Sequence, residues 1–518
     1  IKIKIKIKIE GSPVADYSGF DTENWIPRST TEHREIAEKI KASNSAAERE
    51  KIETETGYRA TVLLDLDYYD SIRMVIIDPM HNLFLGTAKH FLILLKSRGV
   101  LSTENLEKIN RQMTRIKQHC PEDVGRIPLE FKINDHENLE GLTADQMKNW
   151  VICFSIPSLK DKVPGKVFDC WKKFVMACIH LCNRVVTTHD VQRAHDLLVD
   201  FCSDVELLFG KDSITPNMHL HGHLLECILD FGPIYSFWLF SFERYNGILG
   251  DFQTSNRNIG IEIMRKFTIQ SSSFSFFSDL DEGQLKLIDH LRERDSVGSN
   301  QIQNSVTIDV YEMYGRSFSP EDPAIGFEGY GTPLLPFKVQ TLPFEVFQSL
   351  QLYLKRSFGI TPENENSFII SNTLAHIFQR YAVGAEIFTS CLYSPKSSNV
   401  LTSWQVTNSR GETETDLFPG QILFFFQHKM GISIGSNKKT TINNTFAYIR
   451  FYKRVPQGYR HCSWPFDPEI FERKYYLDKF DVDSEDSIVP VQRLICRFVP
   501  GVDLLTFVTC PIPRKMIF

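Results

Sequence analysis

The sequence contains no Cys-x-x-Cys pair, no apolar run long enough to span a bilayer, no repeat of fixed period and no excess of positive charge. Each absence excludes something. Eleven cysteines scattered without paired knuckles argue against a zinc-ribbon or disulfide scaffold and fit reduced, intracellular thiols. The longest apolar run, around Phe91–Leu95, falls far short of the ~20 residues a membrane helix needs, so no membrane partner is expected. Lys and Arg total 58 against 64 for Asp and Glu, a formal charge of −6. Phosphate affinity comes from clustered Lys and Arg, so any nucleic-acid contact has to come from a local patch.

What is present is ordinary for a folded chain: 518 residues, 42% hydrophobic and 24% charged. That length calls for more than one domain, because single cores rarely grow beyond ~250–300 residues. Residues 1–15 begin as IKIKIKIKI, a period-two alternation that gives a strand one oily and one cationic face; the segment is read as a low-complexity lead-in. Residues 16–60 are polar, with a helical stretch near Glu32–Glu55. IRMVII (Ile72–Ile77) predicts a strand ended by Asp78-Pro79, and His81–Lys96 a helix burying Leu83, Leu85, Ala88, Phe91 and Leu95. From about 97 to 230 the pattern is helical, as in Gly165–Val186 and Thr188–Leu208. A further helix carries FWLFSFERYNGILG. A polar linker is placed at 274–304. Beyond it VTIDVYEMYG, QILFFFQH, NNTFAYIRFYKRV, VQRLICRFV and LLTFVTCPI predict strands, with one helix near Phe344–Phe358. The fold class is therefore α+β, with residues 305–518 a β-rich C-terminal domain.

Asp78, at the end of an apolar run and before Pro79, can cap the following helix or offer a rigidly based carboxylate to a metal; one oxygen can do each. Glu243 lies in an aromatic helix, where a buried acid has to be paired or coordinated. His219, His221 and His223 alternate. On a strand all three share a face, whereas on a helix only His219 and His223 do. A full zinc ligand set is not visible, so zinc is not supported and bracing roles are favoured. Cys178-Ile-His180-Leu-Cys182 reads as core, and Lys438-Lys439 with Arg450, Lys453 and Arg454 as a solvated basic strand face.

Taken together, DYSGFDTENW (Asp16–Trp25), IDPMHNLFLGTAKH (Ile77–His90), MHLHGHLLECILDFGP (Met218–Pro233) and FSFERYNGILG (Phe240–Gly250) resemble the catalytic core of CACTA/EnSpm-like DNA transposases. FPGQILFFFQH and FVTCPIPRK resemble the tail of such proteins, so the similarity covers most of the chain after Val14. The resemblance implies an incomplete RNase H-like core over residues 61–273 with a large all-helical insertion. It also implies a DDE/D site in which Asp78 is the second and Glu243 the third carboxylate, holding Mg2+ or Mn2+. His81, His219, His221, His223 and Asn246 match motifs that brace that core. Three carboxylates gripping two ions would drive in-line attack on DNA, and two hold such a pair poorly. IKIKIKIKIEGSP stands where the first Asp and a Cys-containing segment are expected, so the resemblance points to a transposase fragment inactive alone. The implied partners are transposon-end and target DNA and a further copy of the chain, in the nucleus. The alternative is a host-retained DNA- or protein-binding module without catalysis.

Overall fold

The computed structural model describes residues 17–22, 25, 27–121, 124–133, 139–183, 186–252, 254, 258–278, 331–357, 368–371, 373–383, 386–407, 413–434, 438–454, 475–482, 484–503 and 506–512. The lead-in, most of the linker and VTIDVYEMYG lie outside these residues. The chain divides into two compact units, residues 1–237 with 310–518, and residues 238–309.

In the first unit the N-terminal half is helical, and its helices start where side chains cap them. Ser29 and Ser45 accept the N–H of Glu32 and Glu48 to open α1 (Thr30–Lys41) and α2 (Ala46–Thr56), so Glu32–Glu55 is two helices rather than one. A π-helical segment (Met80–Ala88) runs without a break into α3 (Lys89–Ser97), and Ser102 caps α4 (Thr103–His119). A short β1–β2 ladder (Lys132–Ile133, Leu139–Glu140) precedes α5 (Ala144–Asn149). A second π turn, Trp150–Phe154, links α5 to α6 (Ser155–Leu159). Then come α7 (Gly165–Leu181), α8 (Thr188–Phe209), α9 (Pro216–His221), α10 (Leu224–Phe231) and α11 (Ile234–Phe237). Capping boxes at Thr143/Gln146 and Thr187/Asp190 fix the starts of α5 and α8. The helices enclose an aromatic core. Phe91 stacks on Trp171 at 4.9 Å, Trp171 meets Phe174 at 5.0 Å, and Phe174 meets Phe201 at 5.0 Å. Such pairs add about 0.5–1.5 kcal/mol each beyond area burial.

One expectation fails here. The strand predicted at Ile72–Ile77 is not formed: residues 71–74 turn and 75–78 run outside any ladder. The Asp70 carboxylate accepts the N–H groups of Ile72 (2.9 Å) and Arg73 (3.0 Å), capturing backbone that a ladder would have used. Among the described residues of the helical half, β1–β2 is the sole ladder.

The C-terminal half is antiparallel. It holds β3 (Thr332–Leu334), β4 (Lys338–Thr341), α14 (Phe344–Ser357), β5 (Phe368–Ser371), β6 (Leu374–Phe378), β7 (Arg380–Val383) and β8 (Glu386–Thr389). These are followed by β9 (Asn399–Thr407), β10 (Thr413–Ile434), β11 (Lys438–Arg454), β12 (Tyr475–Phe480), β13 (Ile488–Pro490), β14 (Leu494–Asp503) and β15 (Thr506–Pro511). Successive pairings β11–β12, β12–β15, β15–β14, β14–β9, β9–β10 and β10–β11 close a ring of six strands. Leu401, Leu417, Tyr452, Tyr476, Phe480, Cys496 and Phe498 come from five of these strands and pack into one cluster. β10 belongs to two layers: residues 413–421 pair with β9, and residues 425–433 with β6 and β5. A bulge between Ile422 and Phe424 marks the change of partner, bending the strand where it leaves the ring. α14 covers the second layer with Val346, Leu350, Tyr353 and Leu354, and β3–β7–β8 forms a separate small sheet. α4 packs alongside β14.

The second unit carries α12 (Phe240–Gly250) and α13 (Ile259–Ser278). α12 buries none of its residues.

Candidate functional site

Three segments far apart in sequence meet around the end of α9. The first is the strap from Tyr17 to Trp25. Glu206 of α8 accepts the Gly19 N–H at 3.0 Å, and Trp25 Nε1 donates to the Gly19 carbonyl at 3.1 Å. So held, the Trp25 ring stacks on His219 at 4.5 Å and meets His223 at 5.1 Å. Gly222 makes room for it, since a Cβ there would lie 2.5 Å from the indole. The second segment is the π-helical turn. Asn82 donates to the Asn217 carbonyl at 2.8 Å, Thr87 Oγ1 bonds His221 Nε2 at 3.0 Å, and a Cβ on Gly86 would sit 2.2 Å from Asn217 Nδ2. The third is the run Asn217–His223 itself.

The three histidines separate by face. His221 points into the aromatic core, between Thr87, the Cys202 thiol at 3.4 Å from Nδ1, and Phe174. His219 and His223 share the other face, edge to face with centroids 5.5 Å apart. His223 Nδ1 lies 3.5 Å from Glu226 Oε2. Burial holds His221 neutral down to about 3, and burial with the neighbouring His223 takes His219 down to about 4. His223 is likewise lowered by burial, against the opposing pull of Glu226. Among the described residues, His219 Nε2, His223 Nε2, His195 Nδ1 and the Asn82 carbonyl oxygen have no hydrogen-bond partner. The site is thus a cluster of neutral imidazoles beneath the Trp25 indole, with the Glu226 carboxylate at its edge.

Asp78 is positioned by the same π-helical turn. Its Oδ1 accepts Met80 N–H at 3.1 Å, its Oδ2 accepts His81 N–H at 3.0 Å, and His81 Nδ1 closes on Oδ2 as well. The capping role is therefore realised. Glu243 and Asn246 lie on α12 of the second unit and are exposed. The burial expected for Glu243 does not occur, because the aromatic neighbours Phe242 and Tyr245 are themselves 64% and 55% exposed. Asp78, His81 and the histidine cluster lie in the first unit, and Glu243 with Asn246 in the second. Among the described residues no three His, Cys, Asp or Glu side chains form a group able to hold a metal ion. The described residues around Asp78 do not by themselves make a metal centre.

Sequence reasoning passed over Trp25, Thr87, Cys202, Asn217 and Glu226. Glu226 carried a signal, three residues after His223 in the first turn of α10, where an acid reaches back to the residue that opens the helix. The others are brought in by tertiary packing. Of the remaining candidates, Cys178 and Cys182 are free thiols in the helical core, with burial pushing Cys178 far up and Cys182 to about 12. The basic strand face is not free. Arg450 bonds Gln421 and lies 4.0 Å over Phe480, while Arg454 pairs with Asp416 at 3.1 Å.

Replacing Gly222 by Ala is expected to lower stability by about 1–3 kcal/mol, the cost of overpacking, since Trp25 has to leave His219 to make room. Trp25→Ala with Gly222→Ala should cost less than the sum of the two single changes. Equilibrium urea unfolding of the four proteins measures this, and strict additivity would show that the two positions are not in contact.

The fold and site define an α+β protein with a helical half, a closed antiparallel ring and a buried imidazole cluster. No family of known proteins, no curated protein and no solved structure matches the chain. Among the described residues no single helix is long and apolar enough to cross a membrane.

Proposed function

We propose that the chain is a portion of a cut-and-paste DNA transposase of the CACTA/EnSpm kind, built on an RNase H-like core, acting on transposon-end and target DNA in the nucleus. One observation carries the reading: three of the four stretches that bear the resemblance converge, through Trp25, Asn82, Thr87 and His219, on one site. Stretches kept together by chance similarity have no reason to share a site 50 to 200 residues apart in sequence. In this reading Asp78 and Glu243 are two of three acids that take Mg2+ or Mn2+, with His81, His219, His221, His223 and Asn246 bracing them. Further copies of the chain assemble on paired DNA ends. With two of the three acids matched, the chain does not cleave DNA alone.

Fe2+ in place of Mg2+, with ascorbate and peroxide, cuts a polypeptide beside its metal ligands. Scission is expected near both residue 78 and residue 243. Asp78→Ala or Glu243→Ala should each weaken both cuts by more than the ~10–100-fold that an outer partner of a metal site is worth. No duplex nicking should accompany it in Mg2+. Cuts at one position that ignore the other substitution would sink the shared-metal reading. A binding module without catalysis is the second reading, favoured by the commitment of both Asp78 oxygens to the helix start and His81. It predicts no directed scission, together with DNA retention unchanged in both variants.

A further inference from the structure

Beside α14 the β half holds a cation to which the chain gives no acceptor. Arg493 closes the short turn Val491–Arg493, and its guanidinium lies 4.4 Å from the centre of the Trp404 ring of β9. It is partly buried, and among the described residues its side chain makes no hydrogen bond and no ion pair. Other arginines of this half each reach an oxygen: Arg380 the Leu335 carbonyl, Arg450 Gln421, Arg454 Asp416 and Arg497 Glu386. Burial presses the Arg493 pKa below its ordinary value, a direction that an anion beside it would reverse.

Two groups of α14 act on the same guanidinium. Tyr353 is only 6% exposed, and its hydroxyl has no well-formed hydrogen bond among the described residues, with Ser357 at the edge of reach. Arg356 is exposed and holds Asp486, the one acid among the described residues that acts on Arg493, at 3.3 Å. Two guanidiniums against one carboxylate leave a positive excess.

We propose that Arg493, Tyr353 and Arg356 bind a phosphate group. The donor set selects the ligand. A guanidinium fork matches two oxygens, and a carboxylate would be used up there. The phenol O–H and the second cation call for further oxygens, which a tetrahedral phosphate has. Bound phosphate would give the buried Tyr353 hydroxyl an acceptor. The stack on Trp404 sets Arg493 in advance, so less side-chain freedom is lost on binding. Free orthophosphate and the backbone of single-stranded DNA carry the same group. The site stands whether or not Asp78 and Glu243 share a metal.

Titration of the full chain with inorganic phosphate at constant ionic strength, followed by tryptophan fluorescence, tests this. The emission is expected to change saturably at millimolar phosphate, to ignore equal acetate, and to stay constant in Trp404→Phe. The midpoint should rise at least about tenfold in Arg493→Gln, the worth of a charge-assisted bond. It should rise about threefold in Tyr353→Phe, which keeps the ring against Phe446 and decides the matter should Arg493→Gln fail to fold. An oligothymidylate that competes with phosphate and weakens in the same variants assigns the group to a DNA backbone; one that does not compete assigns it to free phosphate. A wild-type emission unmoved by phosphate, an equal response to acetate, a response that survives in Trp404→Phe, or unchanged midpoints in the folded variants would overturn the proposal.

Discussion

Acidification from pH 7 to pH 4 is expected to remove on the order of 5 kcal/mol of folding stability through two histidines alone, before most carboxylates titrate. His219 and His221 are held neutral in the fold, to about 4 and about 3, chiefly because burial penalises the charged ring. In the unfolded chain each takes a proton near pH 6.5. The folded-state values are depressed, so this stability is fully present above about pH 6.5 and is lost as pH falls toward the folded values. Each unit of separation is worth ~1.4 kcal/mol, giving roughly 3 kcal/mol for His219 at pH 4 and a similar amount for His221 over the same interval. Asp190 and Asp230, whose carboxyls the fold holds low, lose their contribution only below about pH 4, a window that barely overlaps. Urea unfolding between pH 7.5 and 4.5 should show a slope of at least two protons, since His90, His195 and His223 are lowered by burial too. His221→Gln should remove one of them. A flat profile across this range would mean that the cluster is wet and able to protonate in place.

The second large effect lies in the β half. Arg497 on β14 and Glu386 at the start of β8 form an ion pair with side chains 3% and 2% exposed. This pair ties the small β3–β7–β8 sheet to the ring. Glu386 Oε2 has no hydrogen-bond partner among the described residues. Arg497→Met leaves that carboxylate buried and uncompensated, and about 3–5 kcal/mol should be lost. Adding Glu386→Leu is expected to recover most of the loss, because replacing both members of a buried pair by apolar groups is often neutral or stabilising. Chemical denaturation of the wild-type, single and double proteins gives the cycle. A single change costing under about 1 kcal/mol would show that the pair is solvated.

Much of the local structure could be read from residues. Ser and Thr three positions ahead of Glu, Gln or Asp mark the starts of α1, α2, α5 and α8. Alternation in QILFFFQH and NNTFAYIRFYKRV falls on β10 and β11. His219 and His223 do meet with His221 turned away, yet not by helical spacing, because α9 ends at His221 and the chain turns through Gly222 before His223 opens α10. What could not be read depends on which element neighbours which. Ile72–Ile77 has strand composition and no ladder, because Asp70 offers its backbone a nearer partner. Glu243 in an aromatic helix suggested burial, yet among the described residues that helix buries none of its side chains. The Trp25–His219 stack and the Glu386–Arg497 pair join residues over a hundred positions apart, and no spacing rule announces them.

The six-membered ring has a consequence for how the protein is made. β15, which fits between β12 and β14, leaves the ribosome after every other strand of that ring. Until it arrives, β9, β10 and β11 wait as a meander whose flanks carry unmatched amide and carbonyl groups. A nascent chain paused in that interval is the form most exposed to mispairing, so yield in a cell should respond more to chaperone supply than to the stability of the finished molecule.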